Sequence, residues 1–253
     1  MTSAKPKILA VIPARYASSR FPGKPLVEIS QKPMIQHVWQ RVSGLSQIDR
    51  VIIATDDTRI KTACEGFGAS VAMTSPNHPS GTDRVWEVAR QYTTHDWILN
   101  VQGDEPQINP DDLQKALTLA QQNPVGDIIT LVSPITSAED FEDPNIVKAV
   151  LAQSSSSNAY FQALYFSRSP LPFNRDDAKD SWQSAYRHIG IYLYRRSALE
   201  KMTALPPSPL ELLEKLEQLR ALENNLSILA IAIEKAPIGI DTPEDLKKLS
   251  AIF

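Results

Sequence analysis

The first half of this chain alternates between two hydrophobic periods. Short β-branched runs stand at KILAVIP (7–13), RVIIAT (50–55), ASVAMT (69–74), DWILNVQGDEP (96–106) and DIITLVSPI (127–135). Between them lie segments with helical spacing. In PMIQHVWQRVSGL, the residues Ile35, Val38, Trp39 and Val42 share one face. A second helix is expected from Asp57 to about Gly66, and a third over TDRVWEVARQY with Thr82 or Asp83 as its cap. NPDDLQKALTLAQQ reads as a fourth, capped helix. Runs such as RVIIAT are apolar without alternation, as strands buried on both faces are. The pattern predicts a parallel sheet covered by helices on both sides. Such sheets bind ligands outside the carboxyl ends of their strands. The loop at 14–25 and the turn at 103–105 both fall at such ends and are expected to face one crevice.

From about 140 to 195 the pattern changes. NIVKAVLA, AYFQALYFSR and RHIGIYLYRR are closely spaced, aromatic-rich strand candidates that suggest an antiparallel or mixed addition. Their aromatic residues read equally as core or as interface. AQSSSSNAY is a short low-complexity insert placed as a surface hairpin tip. A Leu-rich helix (SPLELLEKLEQLRALE), a strand (LSILAIAI) and a last capped helix (DTPEDLKKLSAIF) follow. With no internal repeat and no linker, the expectation is one domain over 1–253, carrying an inserted β-rich subregion at about 140–195.

Composition removes several classes of function. A 42% apolar and 22% charged chain is an ordinary globular one. Its net charge of −3, with basic residues dispersed, gives no reason to expect a nucleic-acid partner. Cys64 is the only cysteine, which rules out an intramolecular disulfide and a zinc site built of thiolates. The opening MTSAKPKILAVIPAR has an apolar stretch of about seven residues, at the lower limit for a secretory signal, and Arg15 ends it without a cleavage-type site. No segment approaches the roughly 20 apolar residues of a membrane span. A soluble, cytoplasmic protein without membrane insertion is expected.

The chemistry is concentrated in a few stretches. VIPARYASSRFPGKPL (11–26) places Arg15, Arg20 and Lys24 straight after an apolar strand, and Pro13, Pro22 and Pro25 forbid a regular helix. It is neither a Walker A loop nor a dinucleotide fingerprint. Backbone amides, the three cations and Gly23 can converge there on a polyphosphate, although the stretch reads equally as a solvated loop. QGDEP sets Asp104 in a turn after a strand, either as a ligand for a hard cation such as Mg²⁺ or as a turn cap. GIDTPEDL offers Asp241 in the same two ways, with Thr242 as the alternative helix cap ahead of Pro243. Two such aspartates beside a cationic loop make a nucleotide–metal site reasonable. The four histidines have no zinc spacing. His188 and Tyr192 of RHIGIY sit at even spacing on one strand face, as part of a site or of a solvated polar face. No serine stands in a nucleophile-elbow setting.

Taken in order, IPARYASSRFPGKPL, KPMIQHV, ATDD, SGTDR, NVQGDEP, YFSR, RHIGIY, SPLELLEKLEQLR and IDTPEDL resemble the bacterial CMP-Kdo synthetases, the 3-deoxy-manno-octulosonate cytidylyltransferases, from about residue 8 to 250. The resemblance implies a three-layer α/β sandwich of the nucleotide-sugar transferase type with a mostly parallel central sheet, usually a homodimer. It implies the reaction CTP + Kdo → CMP-Kdo + pyrophosphate, which serves lipopolysaccharide assembly. By motif, Arg15 and Lys24 hold the triphosphate beside Ala14. Ser80, Gly81, Arg84 and Gln102 line the nucleotide site and help select cytosine, and Asp104 and Asp241 ligate Mg²⁺. Arg168, His188, Tyr192 and Glu211 surround the sugar acid. Gln218 joins them on helical spacing, seven residues from Glu211. The departures are Pro79 before SGTDR, where the family often has glutamine, Phe173 in LPFNR, and the serine insert at 154–157. They leave Kdo and its 8-amino variant both open as the sugar.

Overall fold

Ile8–Ala14 forms β1, and all seven of its residues are buried, as in a strand covered on both faces. In the computed structural model, which describes residues 5–17, 21–122, 125–154, 159–240 and 245–246, the chain divides into two compact units. One is Met1–Asn123 with Pro237–Phe253; the other is Pro124–Ala236.

In the first unit a two-residue turn joins β2 (Glu28–Ile29) to β3 (Lys32–Pro33). Its residues Ser30 and Gln31 have φ of 47° and 65°, the left-handed pair whose twist suits a tight hairpin. α1 (Met34–Ser43) buries Met34, Ile35, Val38 and Val42. Trp39, expected on that face, lies at its edge, with its ring centroid 5.2 Å from that of Phe67. β4 (Arg50–Thr55), α2 (Thr58–Gly66), β5 (Val71–Met73), α3 (Gly81–Ala89), β6 (Trp97–Asn100) and α4 (Pro110–Gln121) follow. The strand order is β5–β4–β1–β6, and every pairing is parallel, with Ile12 beside Ile53 and Ala10 beside Leu99.

Helix starts follow side-chain chemistry. Asp57 caps α2 and Asn109 caps α4. The cap of α3 is neither Thr82 nor Asp83 but Ser80, whose backbone is extended and whose Oγ accepts from Asp83 N at 3.2 Å. A hydroxyl just ahead of the helix reaches the free N–H of the third helical residue. The last segment of the unit packs Ile240 against Ile29 and Met34, with Phe21 and Leu246 beside them. Most of the expected final helix, including residues 241–244 and 247–253, lies outside the described residues.

The second unit holds β7 (Ile128–Pro134), α5 (Ala138–Glu142), β8 (Lys148–Gln153), β9 (Phe161–Ser167), β10 (Tyr186–Arg195), α6 (Arg196–Ala204), α7 (Pro209–Glu214), α8 (Gln218–Glu223) and β11 (Ile228–Ala232). It therefore takes in β7 and β11 as well as the aromatic-rich strands of 140–195. Its strand order is β10–β7–β11–β9–β8, and β8 also pairs with β10, so five strands curl until the end members meet. Only β7 and β11 run parallel; the other four pairings are antiparallel. A mostly parallel sheet is thus a property of the first unit alone. DIITLVSPI, which continues the parallel series by its apolar run, pairs antiparallel with β10. Burial on both faces makes a run apolar without setting the direction of its neighbours.

The Leu-rich helix is also two helices. α7 begins with a capping box of Ser208 and Glu211 and ends at Glu214, where Lys215 turns left-handed (φ 55°, ψ 45°) before α8. Residues 155–157 of the serine insert lie outside the described residues. The flanking strands pair as an antiparallel hairpin with Gln153 opposite Phe161. Among the described residues no helix is long and apolar enough to cross a membrane.

Candidate active site

Beyond Ala14, the first unit's chain crosses the carboxyl end of β1 and lines a cavity of about 370 Å³. Pro13, Ala14 and Arg15 come from β1 and its exit, and Ala17, Lys24 and Pro25 from the following loop. Gly81 comes from the start of α3, and Gln102, Gly103 and Asp104 from the turn after β6. Two glycines let the backbones approach. Gly23 has φ 73°, and a Cβ there would meet the Tyr16 ring at 3.2 Å. A Cβ on Gly103 would lie 3.0 Å from Ile35 Cδ1 and 3.1 Å from Pro13 O.

Arg15 is held before any ligand arrives. Its Nη2 donates to His78 O at 2.8 Å and Ser80 O at 2.9 Å. Burial, and then the nearby Arg84, lowers its pKa from the ordinary arginine value. Nη1 and Nε make no hydrogen bond among the described residues. The loop is braced by Tyr16, whose carbonyl accepts from Gly23 N at 2.9 Å and whose ring centroid lies 3.3 Å from the Arg59 guanidinium carbon. Arg20 lies outside the described residues.

Lys24 Nζ donates to Asp104 Oδ2 at 2.6 Å and to Ile240 O at 2.8 Å. Ile240 N in turn donates to Asp104 O at 3.1 Å. The ammonium is thus a cation already seated on a carboxylate and a carbonyl, and such oxygen donors suit a hard metal ion. No three His, Cys, Asp or Glu side chains cluster for a metal among the described residues. Asp104 and the Ile240 carbonyl are oxygen donors of the kind Mg²⁺ accepts, since that ion takes one or two carboxylates and completes its shell with phosphate and water. Asp241, the second expected ligand, follows Ile240 directly and lies outside the described residues.

Gln102 and Gly81 line the cavity. Gln102 Nε2 donates to Asn100 Oδ1 at 3.3 Å. The Ser80 side chain is engaged with its own helix, donating to Asp83 Oδ2 at 2.7 Å. Arg84 is not among the lining residues. It is fully buried, with Nη2 on Asp56 Oδ2 at 2.9 Å and Nη1 on Thr74 Oγ1. Four residues beyond the cap, its position in the helix turns it into the unit.

The expected sugar residues fall in the second unit as one connected group and two separate pairs. His188 and Tyr192 do share a face, with ring centroids 5.4 Å apart, despite a bulge between Ile189 and Tyr192. Phe166 meets the imidazole edge-on at 4.8 Å. His188 Nε2 bonds Thr130 Oγ1 at 2.9 Å, and the Thr130 hydroxyl donates onward to Ile191 O at 2.8 Å. Burial pushes the imidazole pKa down to about 3, so the ring is neutral. Burial, then Glu217, raises that of Tyr192, whose hydroxyl donates to Gln218 Oε1 at 3.2 Å.

Arg168 bonds to other partners, with Nε on Glu214 O at 2.7 Å and Nη1 on Pro144 O at 2.8 Å. Glu211 is tied up elsewhere. Arg220 binds both its oxygens, at 2.8 and 2.5 Å, and Ser208 N takes a further bond at 3.0 Å. Burial acts to raise its pKa, but Arg220 and the Ser208 N–H outweigh it and lower the value. The helical link from Glu211 to Gln218 does not exist, because Lys215 breaks the helix between them. Two residues escaped the sequence reading. Glu214 accepts from Ser167 Oγ and Arg168 N. Lys148 is fully buried, with its ammonium on Asp143 O and Ile146 O. The E-x-x-E spacing within α7 gives no sign of which glutamate meets Arg168. Phe173 is 71% exposed.

The family model described as "Cytidylyltransferase" matches residues 9–228. A 3-deoxy-manno-octulosonate cytidylyltransferase of Geobacter sulfurreducens is 48% identical over 250 residues, covering 96% of this chain and 97% of that one. One from Syntrophotalea carbinolica is 46% identical with the same coverage. The solved structure of a CMP:2-keto-3-deoxy-manno-octonic acid synthetase complexed with CTP superposes with a TM-score of 0.88, at 40% identity over 97% of this chain and 98% of the other.

Proposed function

The chain belongs to the 3-deoxy-manno-octulosonate cytidylyltransferase family, and we propose that its reaction, CTP + Kdo → CMP-Kdo + pyrophosphate, takes the nucleotide in the cavity at the carboxyl ends of β1 and β6. The product is the activated sugar acid for lipopolysaccharide assembly. One observation carries the site assignment. Arg15 and Lys24 of the first motif and Gln102 and Asp104 of the second, about 80 positions apart, line a single cavity.

In this reading the sugar's anomeric 2-hydroxyl attacks the α-phosphorus and gives up its proton to solvent as the new P–O bond forms, while the bond to the pyrophosphate oxygen breaks in line. Such a transfer rests on positioning and charge stabilisation. Arg15, already fixed through Nη2, offers its remaining N–H groups to the triphosphate at little further entropic cost. Lys24 balances the charge that develops on pyrophosphate. Gln102 and the Gly81 backbone border the nucleoside and help select cytosine. Asp104 and Asp241 would hold Mg²⁺, which when bound would neutralise phosphate charge and favour ionisation of the attacking hydroxyl. On the sugar side, neutral His188, Tyr192 and Gln218 offer hydrogen bonds to hydroxyl groups, and Arg168 a counter-charge to the carboxylate. Glu211 acts by joining α7 to Arg220 of α8. The family resemblance supports a homodimer acting in the cytoplasm.

The test is pyrophosphate release from CTP and Mg²⁺ with Kdo, its 8-amino analogue and N-acetylneuraminate offered in turn. Release with Kdo that EDTA abolishes is expected. Asp104→Asn should lower kcat at least about a hundredfold, since it removes a carboxylate from the reacting phosphates. Near-normal turnover of that variant at ordinary Mg²⁺ would remove Asp104 from the metal site.

A further inference from the structure

The two carbonyls that grip Arg15 belong to a loop, residues 75–80, that has no regular structure of its own. What holds that loop is α3. At its near end Ser80 caps the helix. At its far end Glu87 Oε2 accepts from Ser75 N at 2.9 Å and from the His78 ring at Nε2. Neither Glu87 nor His78 lines the cavity, and both side chains are mostly shielded, at 21% and 18% exposure. Burial alone would raise the Glu87 pKa, but the His78 and Ser75 bonds reverse that and hold it low. The carboxylate is therefore charged and committed to the loop.

We propose that Glu87 is a positioning residue of the cytidylyl transfer: through His78 it sets the carbonyls that aim Arg15 at the nucleoside triphosphate. The proposal rests on the assignment of this cavity to CTP. His78 O is the direct partner of Arg15, so a rotation of the peptide released by loss of the ring contact moves the acceptor itself. Ser80 O, anchored by the helix start, holds the second position, and Glu87 makes the pair of acceptors rigid.

A double-mutant cycle tests this. CTP affinity is measured by calorimetric titration without sugar, and KM for CTP and for Kdo by pyrophosphate release. The proteins are wild type, Glu87→Gln, Arg15→Ala and the double variant. Loss of charge-assisted bonds of this kind corresponds to roughly tenfold weaker CTP binding, with KM for Kdo unchanged. In the Arg15→Ala background the same substitution should change CTP binding less than about twofold, because coupled residues are not additive. His78→Leu should reproduce the loss, and His78→Gln, which keeps a donor for Glu87, should restore most of it. If Glu87→Gln does not fold, His78→Leu takes its place in the cycle. Equal losses in both backgrounds, or a matching rise in KM for Kdo, would mark a merely structural role and overturn the proposal. If Arg15→Ala weakens CTP binding and Glu87→Gln does not, only the positioning claim falls. If Arg15→Ala itself binds CTP normally, the cavity assignment falls and takes the proposal with it.

Discussion

Acid should destabilise this protein through His188 well before it reaches the paired carboxylates. The imidazole is enclosed by Phe166 and Tyr192 and bonded to Thr130, and burial lowers its pKa from an ordinary 6.5 to about 3. The unfolded chain takes up a proton as pH falls through 6.5, and the folded chain does not until about 3. The stability contributed by the neutral ring is thus complete above 6.5 and is lost as pH falls, at about 1.4 kcal/mol per unit. Between pH 7 and pH 5 the loss is about 2 kcal/mol. Urea unfolding at the two pH values, on wild type and His188→Gln, isolates it, because glutamine keeps a donor for Thr130 and has no proton to bind. Carboxylates held at low pKa, such as Glu211 and Asp57, respond at lower pH and are common to both proteins. Wild type should lose about 2 kcal/mol more than the variant. Equal losses, or a His188 imidazole titrating near 6.5 by NMR, would refute the burial argument.

Three further outcomes follow from the packing. Asp56→Ala strands the fully buried Arg84 charge and should lower unfolding free energy by about 3–5 kcal/mol, read by chemical denaturation. Gly103→Ala forces a methyl against Ile35 and the Pro13 carbonyl. It should cost about 1–3 kcal/mol of stability and raise KM for CTP in the pyrophosphate assay. Tyr192→Phe removes the bond to Gln218 and should raise KM for Kdo about fivefold, with KM for CTP unchanged.

The first unit was legible because its signals are local. β1, β4 and β6 read as strands from their own apolar runs, and intervening helices long enough to cross over make parallel neighbours the default. The second unit resisted for the same physical reason. The residues of β7 report that both faces are covered, but not that β10 lies antiparallel on one side and β11 parallel on the other. The break at Lys215 left no trace either. Leu-Glu-Lys-Leu-Glu-Gln is good helix-forming sequence, and in the fold Glu214, on the residue before the break, is bonded to Ser167 and Arg168, far off in sequence.

The same distinction explains which site residues came together. Arg15, Lys24, Gln102 and Asp104 stand in segments that leave the carboxyl ends of parallel strands, and the topology of an open parallel sheet brings such segments together whatever their separation in the chain. Arg84 and Glu211 sit within helices, where direction is set by the turn of the helix and by whichever partner lies opposite. Asp56 and Arg220 are those partners, and neither is predictable from spacing. A charged residue at a strand end is thus a stronger functional candidate than an equally well-matched charge inside a helix. Glu87 shows the complementary case, a helical carboxylate whose influence reaches the cavity only through the loop it holds.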